Sequence, residues 1–130
     1  MSTPNPNSTT GLPDNLAGAL SYLLGPITGI AFLLMEKKSA FVRFHAMQST
    51  LVGAALIILN FALDILHAVL LRIPLLGWLV SVGLALVVGL SSLVLWLALM
   101  FMAFSGKEWE LPVVGVEARK LLGDTGVALK

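Results

Sequence analysis

Glu36-Lys37-Lys38-Ser39-Ala40-Phe41-Val42-Arg43-Phe44-His45-Ala46-Met47-Gln48 is a water-side stretch set between apolar runs, and it holds three of the chain's eight basic residues. Before it, Leu16 to Met35 carries no charge; after it, Ala46 to Leu71 carries only Asp64, and Ile73 to Gly106 carries none. Each run reaches the length of about 20 residues that a helix needs to cross hydrocarbon. The whole chain is 58% hydrophobic and 12% charged, against an apolar norm of about 45–50% in soluble domains. An all-α membrane protein with three transmembrane helices is the expected fold class.

Working outward, the first helix is expected from Asp14, read as its N-cap, to about Met35, with Pro26 as a kink. The run lacks the positive n-region of a secretory signal and outlasts a typical h-region, so it reads as a retained helix. The second helix runs from near Arg43 to near Leu71 and the third from about Leu75 to Phe104. Arg72-Ile73-Pro74-Leu75-Leu76-Gly77 leaves room only for a tight turn, so these two form an antiparallel hairpin. The third apolar run exceeds what the hydrocarbon needs, and Gly77, Gly83 and Gly89 offer places to bend. Residues 1–13, rich in Ser, Thr, Pro and Asn, read as a disordered tail. Residues 14–106 form the membrane domain, and residues 107–130 a cytoplasmic tail with a short interfacial helix over Val116 to Leu122, stopped by Gly123.

Lys and Arg are counted on each side because cytoplasmic loops carry the excess. With three crossings, only Arg72 falls on one side; Lys37, Lys38, Arg43, Lys107, Arg119, Lys120 and Lys130 fall on the other. The expected arrangement is an N-terminus outside, a cytoplasmic C-terminus and a multi-pass location in the cell inner membrane.

Small residues recur every four positions at Ala17, Ser21, Gly25 and Gly29, and again at Ser81, Ala85 and Gly89, a spacing that allows close helix packing. The second helix differs. At 100° per residue, His45, Ser49, Gly53, Asn60, Asp64 and His67 share roughly a third of its circumference, with Gln48 beside them. Ionisable groups at membrane depth are expected to face a bundle interior or a pathway. Structural glue and a transport role both use such inward-facing groups.

Little else carries chemistry. Without cysteine there is no thiolate nucleophile, iron–sulfur site or Cys-zinc site, and the net charge of +1 predicts no nucleic-acid partner. His45 and His67 stand about 33 Å apart along one helix. Asp64 and His67 supply two ligands that no other helix completes, so neither metal nor cofactor is expected. Ser91 and Ser92 lack a positioned base and a nucleophile turn, and no phosphate loop or dinucleotide fingerprint appears. No catalytic residue is assigned.

Asp14-Asn15-Leu16-Ala17-Gly18-Ala19-Leu20-Ser21-Tyr22-Leu23-Leu24-Gly25, Phe32-Leu33-Leu34-Met35-Glu36-Lys37, Phe41-Val42-Arg43-Phe44-His45-Ala46-Met47-Gln48-Ser49 and Trp109-Glu110-Leu111-Pro112-Val113-Val114-Gly115 together resemble a family of small bacterial and archaeal membrane proteins of unknown function. That family is grouped with the twenty-kilodalton membrane subunit of the chloroplast inner-envelope import translocon, a more distant likeness to a four-helix protein. The resemblance marks Arg43, His45 and Gln48 as motif positions without giving them a reaction. Physically, Arg43 at a helix start can snorkel to phosphate with Phe41 and Phe44 at the interface. His45 and Gln48 then either set the depth of the helix or serve a ligand or gate.

The expected function is that of a non-enzymatic membrane protein within a homo-oligomer or a complex with another membrane protein, interaction- or translocation-related. The alternative is an oligomeric channel or carrier for a small solute or proton, lined by Asn60, Asp64 and His67.

Overall fold

The computed structural model describes Pro6 and residues 8–124, and within them every regular element is a helix. These are α1 (Asp14–Leu20), α2 (Pro26–Met35), α3 (Ala40–Leu70), α4 (Leu76–Phe104) and α5 (Val114–Asp124). Two of them, α3 and α4, are long and apolar enough to cross a membrane; α2 is a shorter apolar helix.

The first apolar run is therefore not one continuous helix: the helix expected over Asp14 to Met35 is corrected to a helical hairpin of α1 and α2. Its break lies between Ser21 and Pro26. Gly25 sits at φ 63°, a left-handed conformation that glycine adopts without Cβ strain, and Pro26 fixes the first turn of α2 while contributing no N–H. Carbonyls freed by such a break are costly in lipid unless something inside the protein satisfies them. Here the Ser49 hydroxyl is shared between the Ser21 and Gly25 carbonyls (2.7 and 2.9 Å). The Thr28 hydroxyl also reaches Ser21 O, and the Trp96 indole N–H donates to Tyr22 O at 2.7 Å.

The hairpin's contacts give its depth. The Asn15 amide donates to Phe104 O at the end of α4, and Gly18 lies against Phe41, His45 and Ala103. At the tip Pro26 meets Gly53, and on the way back Gly29 lies against Ala46 and Thr50. Arg43 then reaches Leu33 and Glu36. Both ends of the hairpin thus lie beside the start of α3 and the end of α4. With ten residues, α2 is about 15 Å long, half of a hydrocarbon core of roughly 30 Å. The segment before α1 lies at this same end, since Thr9 and Thr10 bond to Glu36. The segment after α4 lies there too, since His45 meets Lys107 O. The segments flanking α1 and α4 thus share this one end of the long helices.

Small corrections follow from local geometry. Pro13 takes the cap position, leaving Asp14 in the first turn of α1, whereas α3 is capped by the Ser39 hydroxyl on Val42 N. Helix α4 begins one residue later than expected because Leu75 adopts φ 61° after Pro74. Gly77 then passes so close to the Leu70 carbonyl that any Cβ there would collide with it. The apolar side of α5 is turned inward: Ala118 and Leu122 are buried with Phe44, flanked by Leu33, Met47 and Leu51.

Candidate functional site

The Arg43–Gln48 segment forms a buried hydrogen-bonded clasp. Arg43 turns inward rather than towards headgroups, donating from Nη1 to Leu33 O (3.0 Å) and Glu36 O (2.6 Å). A cation is favoured at these last carbonyls of α2 by the negative end of the helix dipole. Phe41 and Phe44 likewise pack edge-on around the His45 ring, with centroids 4.6 and 5.2 Å away, and Arg119 stacks 4.2 Å over Phe44.

His45 is fully buried, and its partners fix its tautomer. The Lys107 carbonyl, 2.9 Å from Nε2, can only accept, so Nε2 carries the proton. Nδ1 then accepts from the Tyr22 hydroxyl at 2.9 Å. The Tyr22 oxygen accepts from Gln48 Nε2, which also donates to Trp109 O, while Gln48 Oε1 accepts from Leu111 N. Every polar atom of the Gln48 amide is used. These bonds tie α3 to the hairpin turn and to residues 107–111.

Two participants escaped the sequence reading. Tyr22 is the chain's single tyrosine, and that lone hydroxyl inside an apolar run was the signal. Glu36, buried, accepts from the backbone N–H groups of Thr9, Lys38 and Ser39 at 2.9–3.0 Å. Burial alone would push its carboxyl up; the N–H groups of Thr9, Ser39, Lys38 and Thr10 outweigh it and hold it below the ordinary glutamate value. A depressed carboxylate stabilises above its unfolded pKa, and that stabilisation is lost as pH falls through the folded value. A spin label at Pro6→Cys should therefore loosen on acidification to below the ordinary glutamate range. Glu36→Gln should show that mobility already at neutral pH; an unchanged spectrum in both would contradict the tether.

The polar stripe of α3 divides at Gly53. Above it, His45, Gln48 and Ser49 are consumed by the hairpin and by residues 107–111. Below it, Asn60 and Asp64 are exposed and His67 half-buried. Together with Leu63 they line a cleft of about 200 Å³ against Ala85, Val88, Gly89 and Ser92 of α4. Asn60 Nδ2 donates to Leu56 O within its own helix, and His67 Nε2 has no partner. Asn60 and Asp64 also border a second groove of about 520 Å³ beneath the hairpin tip, lined by Gly25, Pro26, Gly53, Leu56, Ile57 and Phe61. Among the described residues no three His, Cys, Asp or Glu side chains gather as metal ligands.

Residues 13–116 match the model of the magnetosome magnetite crystal formation protein family. A UPF0132 membrane protein of Archaeoglobus fulgidus is 48% identical over 112 residues, covering 86% of this chain and 98% of its own length. The chain belongs to this family of small membrane proteins. A UPF0132 membrane protein of Methanocaldococcus jannaschii is 44% identical over 108 residues, covering 83% of the chain and 87% of its own length. A second from the same organism is 35% identical over 105 residues, covering 81% and 67%. No solved structure matches the chain. The matched region runs from the cap of α1 to the start of α5, so it includes the clasp, the hairpin and the lower polar stripe.

Proposed function

We propose that this protein is a non-enzymatic, multi-pass component of the cell inner membrane that acts as a subunit of an oligomer or larger membrane complex. The observation that carries the reading is the bare lower half of α3: the hairpin stops at Gly53, and Asn60 and Asp64 below it stand exposed at membrane depth. Polar groups in hydrocarbon are rare unless they face protein or a water-filled cavity. The end that carries Lys37, Lys38, Lys107, Arg119 and Lys120 is assigned to the cytoplasm by the excess of basic residues, and both terminal segments go with it.

A second reading is an oligomeric channel or carrier. It is favoured by the cleft of Asn60, Asp64 and His67 lying beneath a half-depth hairpin, since non-helical backbone at membrane depth often borders such pathways. The family description speaks of magnetite crystal formation. A direct mineral contact finds little support in the end-face acids, because Glu36 is held by backbone donors and Glu108 and Glu110 by Arg119.

Single-cysteine variants of this cysteine-free chain test the proposal. Cysteines at Thr10 and Ser39 should both be shielded from an impermeant reagent in intact cells, and labelling of either overturns the orientation. Native-mass measurement of membrane extracts should give a particle larger than the monomer; a monomer overturns the subunit reading. Solute or proton flux in proteoliposomes that Asp64→Asn alters would instead favour the channel or carrier.

A further inference from the structure

Resting on the subunit reading, we infer that the occupant of the groove beneath the hairpin tip is a second copy of this chain, packed α3 against α3. At 100° per residue, Ala46, Thr50, Gly53, Ile57, Asp64 and Ala68 lie along one stripe. Helix α2 covers the upper half of that stripe, meeting Ala46 and Thr50 through Gly29 and Gly53 through Pro26. Below Gly53 the same track is empty: Ile57 is 62% and Phe61 68% exposed, and Asp64 closes the groove. A helix laid there continues the line of α2 along the open part of the stripe.

Lipid tails fit the apolar part of this groove but cannot serve its polar edge. A second copy can, because the edge is self-complementary. Asn60 Nδ2 spends one hydrogen on Leu56 O and keeps another to donate, while Asp64 accepts. About a twofold axis normal to the membrane, Asn60 of each copy can donate to Asp64 of the other, the reciprocal contact of an isologous interface. Hydrogen bonds of this kind hold helices together where lipid offers no hydrophobic driving force between them.

The test uses the full chain in its native membrane. Under a mild oxidant, Ile57→Cys should give a disulfide-linked homodimer, since equivalent residues meet near a twofold axis. Ile58→Cys, equally deep and 70% exposed but turned 100° away around α3, should not. Adding Asp64→Leu should lower the Ile57→Cys dimer yield about fivefold or more, with Asp64→Asn largely restoring it. Equal dimer yields at Ile57→Cys and Ile58→Cys, or none at either, overturn the inference whether or not the Asp64 variants fold. If Ile57→Cys gives no homodimer while the native particle remains larger than a monomer, this interface falls and the subunit reading stands. A monomeric particle removes both.

Discussion

Gln48→Leu should destabilise the fold by roughly 3 kcal/mol or more. The side chain is fully buried and serves Tyr22 Oη, Trp109 O and Leu111 N. Leucine matches its bulk and serves none of them, and a buried group left without its partner costs about 1–3 kcal/mol. Against the total of about 5–15 kcal/mol typical of a folded domain, the loss is large. It should be local first: residues 107–111 are held to α3 by Gln48 and by His45 on Lys107 O, so this segment detaches before α3 and α4 separate. Thermal unfolding in detergent, with labelling of Trp109→Cys, follows both steps. Tyr22→Phe should cost less, since it orphans only His45 Nδ1 and one Gln48 hydrogen. Asn60→Leu should cost the monomer little, its amide serving only Leu56 O on an exposed surface. Equal costs for Gln48→Leu and Asn60→Leu would mean that the clasp is not formed.

Much of the fold was legible. The two long helices, their short connection and the polar face of α3 follow from charge-free length, a Pro-bearing turn and helical periodicity, all local properties. The break in the first run was not local. Gly25-Pro26 stood in the sequence, but the same pair also suits a kinked crossing helix. What decides between them is whether the Ser21, Tyr22 and Gly25 carbonyls find donors, and the donors are Ser49 and Trp96, on helices far along the chain. Sidedness depends on the same break, because the number of crossings decides whether the segment before α1 shares an end with the segment after α4. The motif residues were found, but their work was read from their place at a helix start. Arg43 at the membrane edge suggested snorkelling, whereas the carbonyls of Leu33 and Glu36, brought back by the hairpin, draw it inward. His45 and Gln48 stand at the start of one long polar stripe, where a ligand or gate is the alternative to a depth marker; Tyr22 makes them its closed end.

The hairpin's depth is tested most sharply by Gly53→Ala. A Cβ at Gly53 would overlap three atoms of the Pro26 ring, and that ring cannot swing aside as a flexible side chain can. The tip must back away from α3, and in doing so it draws the Ser21 and Gly25 carbonyls off the Ser49 hydroxyl and Tyr22 O off Trp96. Overpacking costs about 1–3 kcal/mol, and each of the three lost hydrogen bonds adds about 0.5–1.5 kcal/mol, so roughly 2.5–7.5 kcal/mol is expected in all. Gly89→Ala is the matched control: a Cβ there meets nothing within 4 Å, and alanine in place of glycine inside a helix is favoured by about 1 kcal/mol. The two variants should thus move thermal stability in opposite directions. With Trp78 and Trp109 replaced by Phe, the Trp96 emission should shift in Gly53→Ala and stay put in Gly89→Ala, reporting the tip itself. Were both variants neutral or stabilising, Pro26 would not rest on Gly53. The first apolar run would then be free to continue past mid-membrane as a third crossing, and the groove offered to a second copy would be filled from within.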